Sequence, residues 1–459
     1  MKTLFVANFH FLASRNFFGT GVMQKVASEP DVRLIVFVPA YKQAYLSEIY
    51  NHQRIRFIGI EEAPLLSNKK FSFFGRLFSA MIPTYTANLR HRERRHRSHS
   101  FQGFLKFFIG RVIIFLFSKN PVAHRLARYL DRRFSPCRYL HCYFDEFQPT
   151  ALFTTDVFSG MDVLFMQAAK SKKIPVVGMV RSWDNTTTKG LLRVLPDKLI
   201  ANNEIIKEEA VAIHDVKEKS VFVSGIPQFD WMVRKEHSSR EVFFRKISVD
   251  PQKRLILFAP AGYLLSDTDW QLCEILKKGF RDSSLPSDVH FLVRNHPGDP
   301  ASLEKFQPDE NFTIERPGTT FGQRGPKLSE MSPDEARHLV DSLFHSEIVV
   351  YVNSTIGLDS LPFDKPQIMI EFDGWEKKPY IESVKRYHDE DHMVKYLRTG
   401  AVKIVKSPEE LFSWVRYYLE QPEMDRENRK TAMNQQLYYL DGRSGLRIAD
   451  FLLSQLVLQ

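Results

Sequence analysis

The sequence predicts an α/β protein of two doubly wound lobes, each built around a mostly parallel sheet. Three observations lead there. Strand-length apolar runs recur, each followed by turn residues and a helix-like stretch, which is the pattern of βαβ units. The 459 residues, 43% of them hydrophobic, are enough for two full cores. The strand pattern lapses near residues 235–252, where charge replaces it.

In the first half the runs are 3–9 (TLFVANF), 32–40, 55–60, 150–156 (TALFTTD), 175–180, 198–202 and 221–225. In the second half they are 254–260, 290–296 (HFLVRNH), 348–353, 366–372 and 401–405. The expected division is residues 1–235 for the first lobe and 236–459 for the second. Residues 64–145 fit neither sheet, being helical in pattern and basic, and are expected to form an insertion in the first lobe. The stretch 435–458 carries Leu446, Ile448, Phe451, Leu452 and Leu456 near helical spacing, so a last helix crossing back to the first lobe is expected.

Composition excludes several classes. Cys137, Cys142 and Cys273 are too few for a disulfide framework and lack the partners of a zinc site, so reduced thiols in the cytoplasm are expected. The opening run is broken by Asn8, His10 and Arg15 with no small-residue cleavage site after it, which argues for a buried strand over a signal peptide. The greasy segment 104–117 contains Lys106 and Arg111, and no run is long enough to span a bilayer.

Net charge is +10. Much of the excess lies in two groups, Arg90, Arg92, Arg94, Arg95 and Arg97, then Arg125, Arg128, Arg132, Arg133 and Arg138. A Phe-rich run between basic groups suits an anionic membrane surface, so attachment to the inner face of the plasma membrane is the expectation. Nucleic acid ranks below it for want of a stacking platform. An ordinary buried helix with solvated basic ends is the alternative.

Candidate site residues fall where strands end, because open parallel sheets bind ligands beyond the carboxyl ends of their strands. Gly19, Thr20 and Gly21 form a turn before a helix, a weak anion-site signal. Arg294 and His296 end a strand in the string Val293-Arg294-Asn295-His296-Pro297-Gly298, and offer a guanidinium fork and an imidazole. Ser354, Thr355 and Asp359 follow another strand, the hydroxyls suiting an anion and the carboxylate a ribose diol. In the first half, Arg181, Trp183, Asp184 and Asn185 combine a cation, a stacking face, a base and an amide, as a sugar site needs. Asp156 is a second candidate base. The strings Asp267-Thr268-Asp269 and Asp389-Glu390-Asp391 are read as a cap of the helix 270–280 and a charged helical surface, and no metal or other cofactor is expected.

Together the Arg294-x-His296-Pro297 turn, the Ser354-Thr355-x-x-x-Asp359 turn followed by Lys365-Pro366-Gln367-Ile368, and Asp441-Gly442 with Arg447-Ile448 resemble the CDP-glycerol glycerophosphotransferase group. The string Gly225-Ile-Pro-x-x-Asp230 is similar to that group's lobe-junction turn. The group shares its fold with sugar-nucleotide glycosyltransferases and UDP-N-acetylglucosamine 2-epimerases. The resemblance implies the GT-B architecture, two Rossmann-like lobes facing a central cleft.

It also implies a transferase with the nucleotide-sugar donor in the second lobe, on His296, Arg294, Ser354, Thr355, Asp359, Gly225 and Gly262. A glycan or lipid-linked acceptor is then expected on the first, at Gly19, Thr20, Gly21, Arg181, Trp183 and Asn185, with Asp184 or Asp156 as base. The string Val352-Asn353-Ser354-Thr355 departs from the glycerophosphotransferase pattern, so a sugar donor is preferred and transfer of a polyol phosphate from a CDP-linked donor is the alternative. A non-catalytic adaptor for membrane or nucleic acid on the same fold is the reading from another class.

Overall fold

The structure is a computed structural model and describes residues 1–98, 100–234, 236–319 and 331–457. The chain forms two compact units, one of residues 1–230 with 437–459 and one of residues 231–436.

The first unit holds a seven-stranded parallel sheet in the order β3-β2-β1-β4-β5-β6-β7. Its strands are β1 (Lys2–Ala7), β2 (Val32–Pro39), β3 (Ile55–Ile60), β4 (Ala151–Thr154), β5 (Val176–Met179), β6 (Lys198–Ala201) and β7 (Val221–Val223). Strand order reverses between β1 and β4, so the crevice of this sheet opens beyond the carboxyl ends of those two strands. The central strands are nearly continuous apolar runs because both faces are covered. Phe5 packs into a layer with Phe37, Leu152 and Phe165, while Leu4 and Val6, one residue either side, pack into the opposite layer with Met23, Val26, Ile448 and Leu452. That second layer is how the last helix, Ser444–Val457, becomes part of the first unit.

Between β3 and β4 the chain runs through successive helices, including Lys69–Ala80, Tyr85–Arg97, Phe101–Phe117 and Pro121–Phe134. Each starts where a polar side chain accepts from the first free amides: Asn68, Thr84, Ser100 and Asn120 do so in turn. The Phe101–Phe117 helix rests on its neighbours through Gly110 and Ile114 but leaves Phe104, Leu105, Phe108, Ile109, Phe115 and Leu116 exposed, Phe115 at 87%. No described helix is long and apolar enough to cross a membrane.

The second unit holds a six-stranded parallel sheet in the order β10-β9-β8-β11-β12-β13. These are β8 (Arg254–Ala259), β9 (Val289–Arg294), β10 (Phe312–Glu315), β11 (Ser346–Tyr351), β12 (Gln367–Ile370) and β13 (Lys403–Val405). Its order reverses between β8 and β11. Strand β10 is absent from the sequence reading. It is an edge strand of four residues whose Thr313, Ile314 and Glu315 are only half-buried, so it lacks the apolar run that marks the others.

The chain leaves the first unit at Asp230, before the 235–252 stretch, which contains the helix Arg240–Lys246. Lys235, within that stretch, and Leu458, at the end of the last expected helix, lie outside the described residues.

Candidate active site

In the first unit the loops after β1, β4 and β5 carry the candidate chemistry. Asp156 follows β4, is buried, and has Oδ2 3.4 Å from Nε of Arg181, which follows β5. Arg181 is buried too. Its Nη2 donates to Asn185 Oδ1 at 3.4 Å, and Nη1 has no acceptor among the described residues. Asp184 is half-buried and held by two donors, Asn185 Nδ2 and Thr188 Oγ1, each at 3.1 Å. The loop is braced from below: Thr84 Oγ1 donates to the Thr187 carbonyl at 2.8 Å, and Thr186 Oγ1 to buried Glu209. Trp183 is buried at 8% exposure, so it serves the interior of the loop and presents no open stacking face.

The structure adds three residues that the sequence reading passed over. Burial, with the charges of Arg181, Lys189 and Lys42, lowers the His10 imidazole to about 2, so it stays neutral at physiological pH. Glu62 is pushed up to about 7, chiefly by burial, with the Lys42 charge opposing. His10, Lys42 and Glu62 stand two or three residues past the ends of β1, β2 and β3. That common offset is the signal that was available in the sequence. Nothing else in the three strings distinguishes them.

Beside this loop lies a cavity of about 370 Å³ whose wall contains Asp184, Thr188 and Lys189 and, from the Tyr85–Arg97 helix, Arg90, Arg94 and Arg97. The first arginine group of the sequence therefore faces two ways: Arg90, Arg94 and Arg97 line the cavity, while Arg95 donates to the Ser98 carbonyl and stacks on Phe104.

In the second unit the loops after β8, β9 and β11 carry the candidates. Gly262, after β8, has φ +92°, and a Cβ there would meet the Asp299 carbonyl at 2.5 Å, so this position requires glycine. The loop is pinned by Asp269, whose carboxylate accepts from the amides of Ala261 at 3.1 Å and Gly262 at 3.0 Å. Burial pushes Asp269 up to about 7. The Asp267-Thr268-Asp269 string does stand at the start of the helix Asp269–Arg281, with Thr268 at its cap position, but the side chain of the cap residue bonds to no helix amide: Asp269 holds the loop and Asp267 pairs with Lys378. Glu390, expected on a charged surface, is buried.

Arg294 ends β9 but turns away from the reversal between β8 and β11. Its Nη1 lies 2.5 Å from Glu315 Oε2 on β10, and the other Glu315 oxygen lies 2.5 Å from His338 Nε2. Burial raises the Glu315 carboxyl, but the His338 hydrogen bond and the Arg294 charge outweigh it and hold the group below its ordinary value. Arg294 is thus held in a buried ion network. His296, two residues on, is exposed at the head of a turn in which its Nδ1 accepts from the Gly298 amide at 3.2 Å.

After β11, Ser354 Oγ accepts from the Ile356 amide at 3.2 Å and Thr355 is exposed, at the start of the short helix Ile356–Ser360. Asp359 is buried in that helix near Tyr396, whose hydroxyl is pushed well up by burial and also by the Asp359 charge.

A family model described as CDP-Glycerol:Poly(glycerophosphate) glycerophosphotransferase matches residues 180–454. The chain belongs to this family. It is a transferase, of the class that moves a glycosyl or polyol-phosphate unit from a nucleotide-linked donor. No curated protein matches the chain. Among solved structures it is similar to Staphylococcus aureus MnaA in a co-structure with UDP, at 10% identity and TM-score 0.58, covering 100% of this chain and 98% of that one. It is also similar to the UDP-GlcNAc 2-epimerase of Neisseria meningitidis bound to UDP-GlcNAc, at 13% identity and TM-score 0.57, covering 99% and 100%. A third similar structure is the glycotransferase of kitacinnamycin, at 13% identity and TM-score 0.50, covering 99% of each chain. These likenesses place the two parallel-sheet units in the GT-B fold.

Several residues expected at ligand sites in this glycerophosphotransferase-family chain are explained by packing. Gly225 belongs to the first unit, with φ +81°, and a Cβ there would meet Ser444 Oγ at 2.4 Å. Gly21, also at φ +81°, caps the seven-residue helix Val22–Ser28, and the Thr20 carbonyl beside it would meet a Cβ on Gly445 at 2.5 Å. A helix, Phe11–Phe18, separates the Gly19-Thr20-Gly21 turn from β1. The turn, Gly225 and the start of the last helix therefore form one tightly packed contact.

Proposed function

We propose that the chain transfers a polyol phosphate from a CDP-linked donor to a hydroxyl-bearing acceptor at an anionic membrane surface. The observation that carries the transfer reaction is the family match over residues 180–454, which includes His296 and the 353–359 string. In this reading the loops after β9 and β11 take the donor. His296 and the hydroxyls and amides of Ser354 and Thr355 meet the charge of the departing nucleotide, and no metal is assigned to that task. The acceptor hydroxyl attacks the phosphorus that bears the polyol, the bond from that phosphorus to the CMP oxygen breaks, and the hydroxyl proton passes to a carboxylate. Asp184 is the proposed base, because it is half-buried while Asp156 is buried against Arg181. Asp156 and Arg181 then position the loop.

The membrane part of the reading rests on the exposed apolar face of the Phe101–Phe117 helix. The next helix adds Val122, Leu126 and Tyr129, also exposed, beside Arg125, Arg132 and Arg133. Such a face is costly in water and suits insertion among lipid headgroups. The surface we propose is the inner face of the plasma membrane.

A donor panel tests the reaction: CDP-glycerol, CDP-ribitol, UDP-GlcNAc and UDP-glucose, each with an acceptor-bearing membrane fraction. Release of CMP from a CDP-polyol supports the reading. Release of UDP from a nucleotide-sugar, with the CDP-polyols inert, replaces it by glycosyl transfer. Asp184→Asn is expected to abolish release in either case.

A further inference from the structure

We propose that the cavity between the Tyr85–Arg97 helix and residues 184–189 is an anion site that takes the phosphate group of a phosphate ester, held by Arg94, Arg97 and Lys189. Read with the preceding section, this ester is part of the acceptor, and the proposal deepens that reading; the anion site itself stands on separate observations.

The first is charge. Four cations, Arg90, Arg94, Arg97 and Lys189, share the wall of one cavity with two carboxylates. Both carboxylates are occupied: Glu93 lies 3.4 Å from Arg90, and Asp184 accepts from Asn185 and Thr188. Among the described residues Arg94, Arg97 and Lys189 enter no ion pair, which leaves three positive charges facing a common space. Like charges gathered this closely repel, and an anion between them relieves the repulsion.

The second is the field around the cavity. Burial, and then the Arg90 charge, pull the Arg94 guanidinium below its ordinary value, while Arg181, Lys189 and Lys42 together disfavour a proton on His10. Positive charge therefore extends from the cavity toward the carboxyl end of β1, with the carboxylates Glu93, Asp184, Asp156 and Glu62 along it.

The third is size and donor type. About 370 Å³ admits a phosphate with a short polyol attached. Arginine forks match phosphate oxygens in pairs, and Lys189 supplies a point charge. Asp184 in the same wall is placed to meet a hydroxyl of the group whose phosphate the arginines hold.

The Tyr85–Arg97 helix packs directly on the exposed Phe101–Phe117 helix. The phosphate is accordingly either part of a soluble ester or that of a lipid headgroup, and the experiment separates the two.

Calorimetry of the full chain with sn-glycerol 3-phosphate is expected to show saturable binding that weakens at least tenfold in Arg94→Gln/Arg97→Gln. The control Arg92→Gln/Arg95→Gln, on the same helix but outside the cavity, is expected to bind as wild type does. In parallel, vesicles of phosphatidylcholine with 30% phosphatidic acid or 30% phosphatidylserine are compared. Preference of wild type for phosphatidic acid, lost in Arg94→Gln/Arg97→Gln only, assigns the phosphate to a lipid. Equal vesicle binding of the variants, with loss of soluble ester binding, assigns it to a soluble ester. Absence of both kinds of binding in wild type, or equal weakening by the two double variants, overturns the site. A donor panel without turnover, with phosphate binding intact, overturns the transfer reading and leaves the site standing.

Discussion

Asp230 accepts hydrogen bonds from the amides of Ser444, at 2.9 Å, and Gly445, at 2.8 Å, across more than two hundred residues of sequence. These amides open the last helix and have no carbonyl of their own helix to serve. A carboxylate there also meets the positive end of the helix dipole. Arg447 completes the contact by donating to the Ser224 carbonyl at 3.0 Å and stacking over Tyr439. The Gly225-x-Pro-x-x-Asp230 string and the Asp441-to-Arg447 string are thus two halves of one structural joint.

Asp230→Ala strands both amides in a buried setting and is expected to destabilise the first unit by about 2–4 kcal/mol. Asp230→Asn keeps one acceptor and is expected to lose about half as much. Chemical denaturation followed by tryptophan fluorescence checks both, and wild-type stability in Asp230→Ala contradicts the joint.

Gly357 allows its helix to lie on Tyr351, whose hydroxyl would stand 2.6 Å from an added Cβ. Gly357→Ala is therefore expected to lower stability by about 1–3 kcal/mol. Tyr351→Phe in the same chain removes the obstructing oxygen and is expected to recover part of the loss. Additive destabilisation in the double variant rules out this contact as the cause.

Arg294 and His296 are two residues apart and are expected to fail differently. Arg294→Ala leaves Glu315 buried beside His338 without its cation, a loss of about 3–5 kcal/mol. His296 is exposed, so His296→Ala is expected to keep its melting temperature and lower turnover by on the order of a hundredfold, through loss of a donor to the leaving group. Wild-type turnover in His296→Ala removes that residue from the reaction.

His10 sets a pH dependence. Its folded value, about 2, lies below the ordinary 6.5, so the unfolded chain takes up a proton that the folded chain refuses. The associated stability is fully present above pH 6.5 and is lost as pH falls below it, by about 1.4 kcal/mol per unit. Between pH 6.5 and 4.5 the melting temperature of wild type is expected to fall more steeply than that of His10→Gln. Parallel curves place the group in a different environment.

The exposed aromatic helix predicts membrane attachment. Each basic residue near an anionic surface contributes about 1 kcal/mol, and this part is screened by salt. The protein is expected to pellet with anionic vesicles at low salt and to be released at high salt. Phe104→Ser/Phe108→Ser/Phe115→Ser replaces only exposed side chains, so it is expected to abolish pelleting at unchanged stability. Equal pelleting with neutral and anionic vesicles, or none with either, contradicts the attachment.

The sequence by itself determined the two parallel sheets, because buried parallel strands are near-continuous apolar runs, and TLFVANF and RLILFAP are such runs of strand length recurring with helix-like stretches between them. It also determined where candidate side chains stand along the chain, since the turn after a strand is marked by its residues. Only the tertiary structure decided what those side chains meet. Arg294 reads as a phosphate fork until Glu315 is found beside it on an edge strand too short to announce itself. Gly225 reads as a ligand turn until the last helix fills the space against it, and the Thr20 carbonyl of the Gly19-Thr20-Gly21 turn lies against Gly445 of the same helix. Arg90, Arg94 and Arg97 read as a surface stripe until the loop after β5 closes a cavity over them. Apolar periodicity is local and survives in the sequence, whereas the partner of a charge or a glycine is fixed by contacts between segments far apart in the chain.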